Sequence, residues 1–448
     1  MILRSRKLFD EVELKLWNYD EFNMHRLAQV FQKFRASLRK ITIKFSAINE
    51  NLLMRLLNML PELEDITVDI SLINPSANSS EKLKQLKNVK NLTCKVEAAK
   101  IIFELPNECL KKLSFGSVFK DTIPSQELLE KICEKQKNIE EFNFDPEKFS
   151  SSLKFLNLKK LRLASCKNCE AILVNQPNLT HLEMHESVSN RELETICDLN
   201  ELKSLTVEVE TTNTLALAKH NCLMKLEELK ITLNQVCQLR ALKEKKLPCL
   251  QKLELNLMFE ENFNLIFENF FQSFPRIKHL KLSHVDEKTL KALISNISLE
   301  SLDINKCLIG NKKVELPAAL NENLKELKIC HGFSSFLHEI LKALLNLEKL
   351  ILCEDLINDT ITLKLILTSC KKLTHFALVN QKCASFPFNK IIILLKENGR
   401  NLRHFEYHHV KFMSDVGKFK SSFDAQFQFI YGENENKTLI MRNEKWLF

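Results

Sequence analysis

The sequence predicts an α/β solenoid, with a curved parallel sheet on its concave face and helices on its convex face. Three observations predict it. An apolar residue, two others, an apolar residue, one other and an apolar residue recur sixteen times between Leu38 and Tyr407. The copies begin 19 to 29 residues apart, about 24 on average, and self-similarity at that period marks a chain that stacks one supersecondary unit. Four copies also place a proline two residues before the first apolar position: Pro61, Pro177, Pro248 and Pro275. Proline there ends a returning helix and drives the chain extended, so the offset supports the frame independently of the leucines.

The clearest copies read Leu158-x-x-Leu161-x-Leu163, Leu226-x-x-Leu229-x-Ile231, Leu250-x-x-Leu253-x-Leu255, Leu299-x-x-Leu302-x-Ile304 and Leu347-x-x-Leu350-x-Leu352. This is the pattern of a leucine-rich repeat. Each motif reads as a short parallel strand whose apolar residues point inward while the residues between them point out. Phe9-x-x-Val12-x-Leu14 is a further copy, giving about 16–17 repeats over residues 1–410. The segments between motifs read as helices: Leu52, Leu53, Leu56, Leu57 and Leu60 fall on one helical face, as do Phe336, Leu337, Ile340, Leu341, Leu344 and Leu345. Polar stretches at 74–82, 145–152 and 308–316 break the rhythm and are expected at the rim. Beyond Tyr407 the pattern fades. Residues 423–431 and 437–442 alternate like strands, so 411–448 is expected to be a C-terminal capping segment, which an open solenoid end requires.

Length alone suggests about three domains, but a repeat array grows along one axis without starting a new core, so a single domain is expected. The composition, 45% hydrophobic and 27% charged, is that of a folded chain. The net charge of +8 comes from 65 Lys and Arg against 57 Asp and Glu, mixed along the whole length. No arginine cluster with interleaved aromatics forms a tract, so no nucleic-acid partner is expected. The start has no apolar run of secretory type, and no stretch reaches about 18 apolar residues, so no membrane contact is expected. The 14 cysteines are scattered, many at or beside core positions (Cys94, Cys109, Cys249, Cys307, Cys330), where a reduced thiol acts as a small hydrophobe. That points to a reducing compartment, cytoplasmic or nuclear.

Chemistry is sparse. Cys166-x-x-Cys169 has zinc-like spacing, but no second pair follows, and Cys166 already serves the repeat as a turn residue. His404, His408 and His409 cluster near the last repeat and read as solvated surface histidines. Only six glycines occur and none forms a phosphate-cradling loop. No Ser, His and Asp set stands out, so the chain reads as a non-enzyme with no cofactor and no metal.

Two repeats carry a cysteine eight places after the first leucine, in Leu158 to Cys166 and Leu299 to Cys307, and Leu226 to Asn234 has asparagine there. In this the chain resembles the intracellular leucine-rich repeats of F-box proteins. Ser5-Arg-Lys-Leu-Phe-Asp-Glu-Val-Glu-Leu-Lys-Leu16 also resembles the segment that follows an F-box and opens its first repeat. The resemblance implies a protein-interaction scaffold acting as the substrate-recognition part of an F-box-type ubiquitin ligase subunit. A Skp-family adaptor is implied as a partner only if an F-box stands upstream. Leu105-Pro-Asn-Glu-Cys-Leu110 looks superficially like the opening of an F-box but is in phase with the repeats, so either the start is truncated or the adaptor contact has been lost. The alternative is a free-standing binding or inhibitor module similar to ribonuclease-inhibitor-like repeats, with no ubiquitin role.

Candidate binding residues come from the outward position between the last two apolar residues of each motif. In the middle of the ribbon Arg162, Lys230, Lys281 and Lys328 alternate with Glu183, Glu254 and Asp303. Nearer the C-terminus the character changes to Ile351 and Ala377, with Cys353 and Val379 two places further on and His375 and His404 beside them. An apolar strip on a face that is otherwise wet is informative in a way a buried leucine is not. It is expected either to hold a protein partner or to lie beneath the chain's own tail.

Overall fold

A computed structural model of the chain describes residues 2–5, 10–16, 29–73, 86–115, 124–146, 153–166, 169–210, 223–258, 273–294, 298–308, 322–331, 337, 340–341, 344–353, 360–381, 393–395, 397–398, 401–409, 427–431 and 437–443. It comprises two compact units, the first taking in Met1–Glu210 and the second Glu227–Phe448, besides two short intervening stretches.

The strands of the first unit are β1 (Ile2–Ser5), β2 (Glu11–Leu16), β3 (Lys40–Asn49), β4 (Asp65–Ile73), β5 (Asn91–Cys94), β6 (Lys112–Phe115), β7 (Glu141–Phe144), β8 (Lys160–Leu163), β9 (His181–Val188) and β10 (Ser204–Val209). β1 pairs antiparallel with β2, and from β2 to β10 each strand pairs parallel with the next. The second unit holds β11 (Glu228–Leu233), β12 (Lys252–Leu257), β13 (His279–Asp286), β14 (Ser301–Leu308), β15 (Glu326–His331), β16 (Lys349–Cys353), β17 (His375–Gln381), β18 (His404–His409), β19 (Phe427–Tyr431) and β20 (Lys437–Asn443). Here β11 to β18 are parallel neighbours in chain order. Each unit is an α/β leucine-rich-repeat solenoid.

Register explains why the motif is so regular. Leu92, Leu113, Phe142, Leu161, Leu182 and Leu205 stand opposite one another from β5 to β10 and are all buried. The second apolar column, Cys94, Phe115, Phe144, Leu163 and Met184, is buried beside it. Leu229, Leu253, Leu280, Leu302, Leu327, Leu350, Phe376 and Phe405 form the matching column of the second unit. Each fully buried leucine contributes roughly 1.5–3 kcal/mol. A slip of one residue would turn every column to solvent.

Two backbone devices recur. The prolines sit at the second position of a turn that leads into the strand. The fourth residue of the turn donates back to the first, the residue before the proline, in Leu63 N to Leu60 O (3.3 Å), Leu179 N to Gln176 O (3.1 Å), Leu250 N to Leu247 O (3.2 Å) and Ile277 N to Phe274 O (3.2 Å). Proline suits that place because its fixed φ is pre-set for the turn and its missing N–H is not needed. The sequence offset is therefore a turn signal as well as a helix stop. The carbonyl one residue after the first apolar position then accepts two N–H groups from the next repeat. Lys159 O takes Thr180 N (2.8 Å) and His181 N (2.9 Å), and Glu348 O takes Thr374 N (2.8 Å) and His375 N (3.0 Å). This forked acceptor fixes where each strand starts against its neighbour.

Return helices include Glu50–Asn58, Gln126–Lys135 and Asn190–Cys197 in the first unit, and Val236–Glu244, Glu287–Ile294 and Thr360–Ser369 in the second. Leu53, Leu56, Leu57 and Leu60 are buried as their spacing predicts, and so are Leu337, Ile340, Leu341 and Leu344. Leu345 departs from that face and is 63% exposed, because it already lies in the turn that precedes β16. Most of the three polar stretches expected at the rim, the side chains of Leu52 and Cys307, and Phe336 lie outside the described residues. At the end of the second unit β20 runs antiparallel to β18, and β19 runs antiparallel to β20. The C-terminal strands thus occupy the sheet edge beside β18, where an unpaired strand would offer its N–H and C=O groups to any passing chain.

Candidate functional site

In a strand of these repeats the inward residues build the core, so chemistry has only the outward residues to use. In the first unit those of β5 to β10 line a groove of about 480 Å³. Its floor is the row Thr93, Ser114, Asn143, Arg162, Glu183 and Thr206, with Lys112, Glu141, Lys160, His181 and Ser204 alongside. Arg162 is held from two sides. Its Nη2 lies 3.1 Å from Glu183 Oε1, and its Nε donates to His185 Nε2 at 2.6 Å. Glu141 is shared between Lys160 (2.8 Å) and Lys112 (3.2 Å). Its carboxyl is held below the ordinary range, the Lys160 hydrogen bond leading that effect and partial burial opposing it. The sequence reading singled out Arg162 but not the row of Lys112, Glu141 and Lys160. The signal was available, since the residue just before the second apolar position shares the outward face.

The second unit pairs its charges in the same way. Lys230 and Lys281 converge on Glu254 Oε1 at 3.3 and 3.0 Å, and Lys328 reaches Asp303 Oδ2 at 3.0 Å. Register places them so, with Lys230 opposite Glu254, Glu254 opposite Lys281, and Asp303 opposite Lys328. Burial works against the Glu254 charge, but the hydrogen bonds and charges of Lys281 and Lys230 outweigh it and lower its pKa. For Lys328, burial likewise opposes the charge while the Asp303 hydrogen bond and charge raise the pKa. Lys328 is thus matched one to one by Asp303, whereas Lys230 and Lys281 share the single negative charge of Glu254.

The apolar strip lies on β16 and β17, where Ile351 faces Ala377 and Cys353 faces Val379 in register. Its surface is smaller than four apolar residues suggest. Cys353 is 5% exposed and Ala377 6%, whereas Ile351 and Val379 each show part of their side chain. The physical reason for Ala377 is size, since a methyl group flanked in register by Ile351 and Glu406 is covered by both. His375 and His404 stand side by side at the start of β17 and β18, ring centroids 5.6 Å apart. His404 Nε2 lies 2.6 Å from Glu406 Oε1. Partial burial and the neighbouring His404 lower the pKa of His375, which favours its neutral form. The side chains of His408 and His409 lie outside the described residues.

Cys166 is buried, its Sγ donating to Glu186 O at 3.0 Å, so the turn cysteine ties its repeat to the next. Burial pushes the Cys166 thiol up to about 12 and raises Cys169 as well. Among the described residues no group of three metal-ligating side chains forms, and no helix is long and apolar enough to cross a membrane.

No family model matches the chain, and no curated protein matches it. Solved structures similar to it include an internalin (inlF) from Listeria monocytogenes, with 14% identity, a TM-score of 0.33 and coverage of 82% of this chain and 86% of the internalin. Another is the TLR13–ssRNA13 complex, with 18% identity, a TM-score of 0.36 and coverage of 83% of this chain and 55% of the other.

Proposed function

We propose that the chain is a protein-binding scaffold that docks its partner on the outward strand face, with the strip around Ile351, Val379 and His375 as the anchor. One observation carries this reading. At the outward position between the last two apolar residues of each motif, the described strands from β3 to β15 carry hydroxyl, amide or charged side chains, and β16 and β17 carry Ile351 and Ala377, with Val379 partly exposed nearby and two imidazoles at the strand starts. Anchors of protein interfaces are apolar or aromatic side chains ringed by polar ones, and neutralised pairs such as Lys328 with Asp303 suit a rim. Lys230 and Lys281, on the same unit as the strip, belong to that polar surround and contribute to selectivity more than to affinity, while Arg162 marks the outward face of the first unit. Paired cations favour a protein surface over a phosphate backbone, which rewards unneutralised Lys and Arg.

The test compares three forms of the full chain as affinity baits: wild type, Ile351→Asp with Val379→Asp, and a control carrying Lys288→Glu on the exposed side of the helix Glu287–Ile294. A partner of the strand face is retained by wild type and the control and lost by the double variant. Purified partner titrated against all three then shows at least a tenfold weaker Kd for the double variant alone. Equal binding by all three removes the strip from the interface.

The finer reading, a substrate receptor of an F-box-type ubiquitin ligase, rests on the repeat subtype. Cys166 holding the next repeat through its sulfur is the feature that supports it. Mixing the full-length gene product with a Skp-family adaptor and measuring co-elution decides it. Absence of a complex leaves a free-standing binding module.

A further inference from the structure

Cys330 and Cys353 occupy the same place in consecutive repeats, each six residues after its first apolar residue. In β15 and β16 the register runs Lys328 to Ile351 and Ile329 to Leu352, which brings the two cysteines next to each other on the outward face. Their sulfurs are 3.3 Å apart, Cys330 Sγ donating to Cys353 Sγ. Exposure separates them. Cys353 is buried, while Cys330 keeps part of its surface open to solvent. Lys328, two residues before Cys330 on the same face, brings its positive charge close enough to feel both sulfurs. Cys94 and Cys169, by contrast, are buried in the core, where a thiol acts as a small hydrophobe.

We propose that Cys330 and Cys353 form a thiol-modification site on the outward face of the second unit, which closes to a disulfide by exchange with a small disulfide such as oxidised glutathione. The accessible Cys330 loses its proton to solvent, and its thiolate attacks one sulfur of the small disulfide, forming a mixed disulfide and releasing one small thiol. Cys353 then gives up its proton and attacks the Cys330 sulfur, expelling the second small thiol. Two protein thiols are oxidised and one small disulfide is reduced to two thiols, so atoms and electrons balance. The sulfurs must approach by roughly 1.3 Å to reach a bond of about 2.0 Å. Neighbouring strands about 4.8 Å apart bring the Cα atoms within disulfide range. The Cβ atoms of facing residues in parallel strands diverge little from that spacing, which is wider than the roughly 3.5–4.5 Å a relaxed disulfide prefers. The bond therefore forms under strain and is easily reduced, the behaviour of a reversible site rather than of a structural bridge. Cys353 suits the second role. Its thiol is held above the ordinary range by the contact with Cys330 and by burial, so it stays protonated until the mixed disulfide has formed. This chemistry does not depend on what the strand face binds.

The test equilibrates the intact wild-type chain with graded ratios of reduced and oxidised glutathione, blocks the remaining thiols by alkylation, and analyses tryptic peptides by mass spectrometry. The two cysteines fall in different tryptic peptides, 329–342 and 350–364, so their bridge is seen as a cross-linked pair lacking two hydrogens. The expected result is that this pair forms before any other disulfide in the chain but only at the more oxidising ratios, as a strained bond requires, and disappears on return to reduced glutathione. Cys353→Ser is expected to stop at a stable glutathione adduct on Cys330, and Cys330→Ser to leave Cys353 alkylatable but unmodified. Wild type that stops at a glutathione adduct on Cys330, or that bridges either cysteine elsewhere first, overturns the proposal. So does a pair that stays fully reduced while exposed thiols react.

Discussion

At the residue scale, the outward face is governed by which side chain finds which neighbour one repeat away. Glu254 is the sharpest case, a carboxylate with 17% of its side chain exposed that serves two lysines at once. Glu254→Gln leaves Lys230 and Lys281 facing each other without an anion. The expected loss is about 0.5–1 kcal/mol, set by the worth of exposed ion pairs and read from urea unfolding at neutral pH. Its pH dependence has a definite sign. The folded pKa of Glu254 lies below its unfolded value, so the stabilisation is fully present above the unfolded value of about 4.3 and is lost as pH falls through the folded pKa. The stability gap between wild type and Glu254→Gln is therefore constant from pH 7 to about 5 and closes in the acid range. A gap that persists at pH 2 would assign the effect to packing instead.

At the element scale, each repeat needs a strand start, a turn and a returning helix, and each has its own local device. The helix Asn190–Cys197 carries the clearest one. Ser189 Oγ accepts from Glu192 N at 3.5 Å, and Glu192 Oε2 accepts from Ser189 N at 2.6 Å, a reciprocal capping box. Ser189→Ala removes one half and is expected to cost about 1 kcal/mol. Ser189→Asp, which keeps an acceptor at that place, is expected to restore most of it. Thermal unfolding followed by circular dichroism compares the three forms, and an unchanged midpoint for Ser189→Ala would mean that tertiary packing alone holds this helix. Leucines on return helices obey the same division between local and tertiary control. Leu344 is buried and Leu345 is exposed, although both satisfy the helical spacing, because the turn into β16 begins between them.

At the scale of the whole molecule, the parallel strands of each unit, β2 to β10 and β11 to β18, touch the strands before and after them, so stability is expected to spread from neighbour to neighbour within a unit. Leu280 lies in the inward column of β13, buried between Leu253 and Leu302. Leu280→Ala opens a cavity with an expected cost of about 2–5 kcal/mol. Hydrogen exchange is expected to accelerate most in β12, β13 and β14 and to change little in β3, β4 and β5. Uniform acceleration across both units would show a single cooperative core instead. The outward face follows the same logic, since a change at Ile351 reaches Lys328 and Ala377 directly and the remaining rows only through them.

The sequence by itself determined the repeat frame, the place of every parallel strand the motif marks and the inward columns, because alternation of apolar residues and a proline-led turn act within a few residues. It also identified the outward positions, and with them Arg162, Lys230, Lys281, Lys328 and the strip on β16 and β17. Only the tertiary structure decided what those side chains do. The pairing of Lys281 with Glu254 spans 27 residues and that of Cys330 with Cys353 spans 23, and each depends on register and side-chain reach across neighbouring strands. Burial of Ala377 depends on the sizes of Ile351 and Glu406 on either side, a property of the sheet and not of the motif. Short-range patterning builds each repeat, and contacts between repeats, read only after stacking, set the chemistry of the surface.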